Sequence, residues 1–250
     1  MSERSELTAA FDAMLLTRAW PNRAAVDDFD AWQHRRHFPE LVAVPGVGRA
    51  EYYRTIETDL PQVLQGSGNR IAVYWSDTIE DLLTFLTHPG LAMAVADGSR
   101  FFPSFNELDG DIYTGNIYRL DDGLDGTACA ATDGADRVWL VERYEVLPAE
   151  LEEFERWLET AHVDRLLAAR RIVSLRVGRA VREDLPIPYY NSRGSHVVLT
   201  DLDGDPATVG RDEELLDALA DAQRWDRRLG YVRREIAQLA FGKDAGTADG

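Results

Sequence analysis

The chain has 250 residues, 45% of them hydrophobic, enough to bury a core in one large or two small domains and to exclude disorder as the dominant state. Forty-four acidic against 27 basic residues give a formal charge of −17, a surface that repels phosphate backbones and anionic lipid, so neither nucleic acid nor a membrane is expected as a partner. Apolar runs stay far below the roughly 20 residues of a membrane helix, no secretory leader is visible at Met1, and the single Cys129 excludes an intrachain disulfide and fits a reducing, cytoplasmic setting.

In chain order, a short apolar run over 11–19 reads as a strand and is followed by a helix over 25–37 with Asp27 and Asp28 in its first turn. A strand over 47–56, a Pro- and Gly-bearing loop over 59–69 and a strand over 70–75 come next. A helix over 80–86, with a second segment past Pro89, leads to a strand over 111–120. The second half gives the same succession: strand 137–146, helix 149–161, strand 172–181, loop 184–194, strand 195–200, helix 212–225 and strand 231–240.

Sliding the sequence by 125 positions, half its length, pairs Leu15 with Leu140, Arg18 with Arg143, Phe29 with Phe154, Trp32 with Trp157, His37 with His162 and Arg54 with Arg179. The shared pattern F-x-x-W-x-x-x-x-H-x-x-x-L-x-A, built on two rare residue types, points to an internal duplication. The organisation expected is a first unit over 1–120, a linker over 121–135, a second unit over 136–243 and a loose tail over 244–250. Each unit reads β-α-β-β-α-β, a ferredoxin-like α+β arrangement with both helices on one sheet face. The bare faces of the two sheets are expected to pack against each other as one intramolecular α/β barrel able to enclose a small ligand.

Lys243 is the only lysine, which argues against Schiff-base chemistry and a phosphate-loop lysine. Neither a G-x-G-x-x-G fingerprint nor a G-x-S-x-G elbow is present. Candidate proton-transfer groups are His37 and His162, at matching helix ends, and His196, on a strand among Val197, Val198 and Leu199. At helix ends the first two equally suit a structural role on the last carbonyls. His34, His37 and Glu40 stand at helical spacing that suits metal ligands, but the second half keeps only Glu159 and His162, so no metal is expected. Aromatic residues crowd the strands of the first half. Tyr52, Arg54, Tyr74, Trp75, Asn116 and Tyr118 are the candidate substrate-binding residues, with phenol hydroxyls and Asn116 orienting oxygens of a flat molecule. Arg54 or Arg18 can pair with a carboxylate or enolate, although their repetition at Arg179 and Arg143 also suits structural ion pairs.

The phrases Phe29-Asp30-Ala31-Trp32…His37-Phe38-Pro39-Glu40-Leu41 and Leu86-Thr87-His88-Pro89-Gly90, with the match Phe154…Trp157…His162, resemble the dimeric α/β-barrel superfamily over nearly the whole chain, twice. That resemblance implies the barrel and a range of activities: cofactor-free monooxygenases, polyketide cyclases, muconolactone isomerases and haem enzymes. The acid–base pair of the olivetolic-acid-cyclase type is missing, since Phe85 and Leu91 stand in its places, although His196 resembles that type's strand histidine. No haem signature is found. The expected function is therefore a small-molecule enzyme without organic cofactor, a cyclase, isomerase or monooxygenase acting on an aromatic or polyketide-like intermediate. The alternatives are a non-catalytic carrier barrel, for which a homodimer through outer strands or helices is one assembly, and a haem-binding enzyme.

Overall fold

The computed structural model describes residues 11–21, 23–60, 63, 69–101, 113–126, 128, 138–182 and 193–244. Most of the loops expected over 59–69 and 184–194, much of 121–135 and the final six residues lie outside these. The first half contains strand β1 (Ala13–Ala19), helix α1 (Val26–Trp32), a π-helical turn (Gln33–His37), helix α2 (Phe38–Val42), strands β2 (Arg49–Thr55) and β3 (Arg70–Ser76), helices α3 (Ile79–Thr87) and α4 (Pro89–Ala96), and strand β4 (Tyr113–Leu120). A two-residue strand β5 (Leu124–Asp125) falls in the stretch expected to be a linker. The second half contains β6 (Val138–Glu145), α5 (Leu151–Trp157), a π-helical turn (Leu158–His162), α6 (Val163–Ala168), β7 (Ile172–Val181), β8 (His196–Leu202), α7 (Glu213–Ala222) and β9 (Tyr231–Asp244).

The strands form one antiparallel sheet in the order β4-β1-β3-β2-β9-β6-β8-β7, closed by pairing of β4 with β7, so that eight strands make a barrel and β5 extends it beside β7. This corrects the picture of two sheets packed face to face: the halves meet strand to strand, through β2–β9 and β4–β7. Four open edges would each present unpaired N–H and C=O groups, and closure satisfies them all. β9 also runs on past residue 240 to Asp244, because Lys243 and Asp244 pair with Ala50 and Arg49 of β2, so the strand takes in the first residue of the expected tail.

The helices expected to end at His37 and His162 continue beyond them as α2 and α6. Each is widened by one π-helical turn that ends on the histidine, and Pro39 follows in the first turn of α2, where its missing N–H is tolerated. Neither histidine therefore caps a helix end. Thr78 and Asp212 do cap α3 and α7, accepting hydrogen bonds from the amides of Asp81 (3.1 Å) and Leu215 (3.0 Å).

Closure gives every strand one face toward the lumen and one toward the helices. Outward residues such as Leu15, Tyr52 and Tyr74 pack with Phe29, Trp32 and Phe38 in the first half, and Leu140, Tyr144 and Val198 with Phe154, Trp157 and Trp225 in the second. The lumen is filled by Met14, Leu16, Tyr53, Val73, Trp75, Trp139, Val141 and their neighbours. Tyr53 stacks on Trp139 with centroids 4.2 Å apart, and Trp75 meets the same indole edge-on at 6.0 Å. Beside Trp139, Ser174 and Arg176 the lumen leaves a void of about 10 Å³, room for one water. Among the described residues no helix is long and apolar enough to cross a membrane. Because Trp139 is the central plug of this lumen, Trp139→Ala is expected to lower unfolding free energy by about 3–5 kcal/mol, measured by chemical denaturation; a loss below about 1 kcal/mol would mean the lumen collapses freely and is not close-packed.

Candidate functional site

Polar groups gather at the end of the lumen formed by the C-terminal ends of β1 and β6. Arg18 and Arg143, 1% exposed each, point inward from equivalent places on those strands, and Glu235 of β9, also 1% exposed, is the carboxylate that faces them. Arg18 Nη2 donates to Glu235 at 2.7 Å and its Nη1 to the Tyr231 hydroxyl at 3.3 Å. Asn69 Nδ2 donates to the same carboxylate at 2.9 Å, and Arg233 joins it at 3.1 Å. Trp20 is sandwiched by the guanidiniums of Arg18 (4.5 Å) and Arg233 (4.7 Å). Burial lowers Arg18 to about 10; Glu235 opposes that, while Arg143 and Arg233 push it the same way.

Arg143 is less well served. Its Nη2 donates to the Arg193 carbonyl at 2.7 Å, and among the described residues its Nε and Nη1 have no hydrogen-bond partner, nor does Arg18 Nε. The guanidinium is buried, a state that alone would lower its pKa, yet the neighbouring Tyr118, Tyr231 and Glu235 hold it above its ordinary value. Tyr118 donates to the Gly194 carbonyl at 2.9 Å and accepts from Asn116 Nδ2 at 3.3 Å. Gly194 adopts φ +120°, and a Cβ there would come 3.1 Å from both Arg143 Nε and the Tyr118 oxygen. A side chain there would press on both groups, and glycine also accepts the positive φ. Two buried guanidiniums and the partly exposed Arg233 face the Glu235 carboxylate, and a buried guanidinium short of partners favours an anion.

Of the six expected substrate-binding residues, strand alternation brings Trp75, Asn116 and Tyr118 into the lumen and turns Tyr52, Arg54 and Tyr74 outward under the helices. There Tyr52 donates to Asp30 at 2.7 Å, and Asp30 also holds Arg70 (2.8 Å) and Arg54 (3.1 Å). Burial pushes Asp30 upward, but the bonds from Arg70 and Tyr52 prevail and hold it low.

The three histidines also lie on the outer face, apart from one another. His37 stacks on Trp32 at 4.3 Å with Nδ1 3.1 Å from the Ala94 carbonyl, and burial lowers it to about 4. His162 stacks on Trp157 at 4.6 Å, and its Nε2 meets Glu142 at 2.9 Å. Glu142 in turn binds Arg234 (3.1 Å) and Tyr144 (2.5 Å); these partners outweigh burial and hold it at about 2. His196 lies against Phe154 under α5, with Nδ1 2.9 Å from Ser195 Oγ and Nε2 3.5 Å from Glu155, and burial lowers it. The sheet therefore stands between each histidine and Tyr118. His34 is exposed against Phe241 and Glu40 pairs with Arg36, so these residues do not converge with His37 on one point; among the described residues no group of three or more His, Cys, Asp or Glu side chains is placed to hold a metal ion.

Sequence reasoning placed Arg18 and Arg143 in matching positions without bringing them together, and missed Glu235 and Arg233. The signal was there in Leu15-Leu16-Thr17-Arg18 and Val141-Glu142-Arg143-Tyr144, each an arginine inside an apolar strand.

No protein-family model matches the chain, and no curated protein does. Solved structures match its fold. An anthrone oxidase-like protein superposes with TM-score 0.63 at 13% identity over 96% of each chain. A proposed monooxygenase of Fusobacterium nucleatum does so with TM-score 0.59 at 8% identity, over 96% of this chain and 98% of that one. Another, from Lactobacillus acidophilus, gives 0.51 at 6% identity over 94% and 97%. At these identities the likeness is one of fold, that of a closed eight-stranded antiparallel barrel.

The buried His37 makes a prediction for stability. Its folded value, about 4, lies below the ordinary 6.5, so its contribution is complete above pH 6.5 and declines as pH falls from 6.5 to 4, where the unfolded chain takes the proton first. His37→Gln is expected to remove roughly 1.4 kcal/mol of slope per pH unit in that window, read from denaturation midpoints between about pH 7.5 and 4.5. An unchanged slope would mean that His37 is not held neutral in the folded state.

Proposed function

We propose that this chain is a small-molecule enzyme of the oxygenase type that acts, without an organic cofactor, on a flat aromatic or polyketide-like enol at the Arg18–Arg143 end of the barrel. The observation that carries this reading is the Arg143 guanidinium, buried inside the lumen beside Tyr118 with two nitrogens unpartnered among the described residues. The matching fold of an anthrone oxidase-like protein and of two proposed monooxygenases supports it. The architecture we infer beneath it is a tandem pair of ferredoxin-like units: residues 13–120 order their strands β4-β1-β3-β2, residues 138–244 order theirs β9-β6-β8-β7, and both carry the π-helical turn with its Trp–His stack.

The chemistry follows from charge. An enol or phenol whose oxygen meets Arg143 beside Tyr118 binds as its oxyanion, releasing its proton to bulk water as it binds, because the guanidinium stabilises the oxyanion at short range. Asn116 and Tyr118 orient the ring oxygens, and the apolar wall of Trp139, Val141 and Leu16 excludes water. The resulting electron-rich enolate is itself the reductant for dioxygen. For a methylene substrate both C–H bonds of the methylene carbon break. That carbon keeps one atom of dioxygen as its carbonyl oxygen, and the other atom leaves with the two hydrogens as water. All the electrons that dioxygen takes up come from the methylene carbon, so no external donor is needed. The histidines have no part in this step and serve to hold the helices on the barrel.

The test is oxygen uptake and quinone formation from anthrone by purified protein, with chelator present and no nicotinamide or flavin added. Turnover well above the uncatalysed rate is expected, and Arg143→Gln should slow it by about 10²–10³. Binding of anthrone without any turnover would assign carriage instead, and a Soret or flavin band in the purified protein would defeat the cofactor-free reading.

A further inference from the structure

The two halves of the barrel place Arg18 and Arg143 at matching strand positions but differ in what faces each of them. In the β1–β4 register Leu16 lies opposite Asn116; in the β6–β9 register Val141, 125 positions after Leu16, lies opposite Glu235. Asn116 therefore stands in the first half where Glu235 stands in the second. Exchanging the halves carries Arg18 onto Arg143 and the 2.7 Å Arg18–Glu235 bond onto an Arg143–Asn116 pair that no carboxylate can complete. The support is missing as well. Asn69, the residue before β3, donates to Glu235, whereas Ser195, the residue before β8, accepts from the Val146 amide and donates to the Tyr144 carbonyl instead. Asn116 itself turns its amide to Tyr118 and the Arg193 carbonyl.

We propose that the ligand of this chamber binds as a monoanion whose carboxylate or enolate oxygen takes the place on Arg143 that Glu235 takes on Arg18, and that Asn116, by keeping the chain's own carboxylate out of that place, selects for charge. The ligand class rests on the function proposed above; the uncompleted Arg143 pair does not. Burying a guanidinium with two nitrogens unpartnered among the described residues is costly unless an anion meets it, and the fold already shows, one half away, which anion geometry satisfies it. An asparagine in place of glutamate is neutral and one methylene shorter, so it leaves the charge on Arg143 unanswered by the chain.

Titration calorimetry with acetate and benzoate, against acetamide and benzamide as neutral isosteres, tests this on the full chain. Wild type should bind the anions and not the amides. Asn116→Glu should weaken anion binding by about tenfold or more by filling the site from within, while Asn116→Gln, neutral, should retain it. Arg143→Gln, which removes the positive partner, should weaken it by about tenfold or more as well, and decides the matter if the glutamate variant does not fold. Equal binding of benzoate and benzamide, or undiminished benzoate binding by a folded Asn116→Glu, overturns the inference. These outcomes separate from those of the oxygenase reading. Anion binding lost in Asn116→Glu with no anthrone turnover in wild type sinks the reaction and keeps the site; turnover undiminished in Asn116→Glu keeps the reaction and sinks the selecting role of Asn116.

Discussion

Strand pairing along β2–β9 and β4–β7 is the constraint from which the rest of this molecule follows. Once the sheet closes, most strand residues are buried in the lumen or beneath the helices, and a charged residue among them must be met by a partner. Glu142 and Arg143 show this directly. Adjacent in sequence and both buried, they point opposite ways, Glu142 outward to His162, Arg234 and Tyr144, Arg143 inward to the chamber. An open sheet would have let one of them reach solvent, with little consequence for either.

The two sides of the wall answer that constraint differently. Outside, each carboxylate gathers several donors: Asp30 holds Arg54, Arg70 and Tyr52, and Glu142 holds His162, Arg234 and Tyr144, so each is held below its ordinary value. Such networks fix helix to sheet and select one register. Inside, Glu235 faces Arg18, Arg143 and Arg233, and the balance is positive. The two Arg143 nitrogens left without a partner among the described residues are the observation on which the proposed anion site rests.

Much of the barrel was legible in the sequence because periodicity and repetition report local structure. The Trp and His identities at the 125-residue offset locate equivalent helices, and alternating apolar strands locate the walls. What periodicity cannot give is which strand closes on which. Face-to-face packing and edge-to-edge closure bury similar apolar area, and only backbone hydrogen bonding at the edges separates them. The same gap hid the chamber. Within one strand the alternation correctly separates Tyr52 from Tyr53, but it does not say which of the two faces the lumen. Tyr52, Tyr74 and the histidines drew attention because their chemistry is familiar, yet they line the outer wall, while Arg18, Arg143 and Glu235 come together from positions far apart in sequence. The paired arginines were visible as a repeat, and a repeat reads first as structure.

On the proposal that an anion binds beside Arg143, a protein of charge −17 sets its surface against its interior, but the two fields act over different ranges. At physiological ionic strength surface charge is screened beyond about 8 Å, so repulsion slows approach without much altering affinity. Within the lumen there is little solvent to screen Arg143, and its attraction for an oxyanion at hydrogen-bond distance is correspondingly strong. A weakly acidic enol resolves the conflict, since it crosses the negative surface uncharged and becomes an anion only where the guanidinium holds it. Such a division of labour also suits reaction with dioxygen: the reactive enolate then forms only inside the dry barrel, where the surrounding aromatic wall leaves it few competing paths.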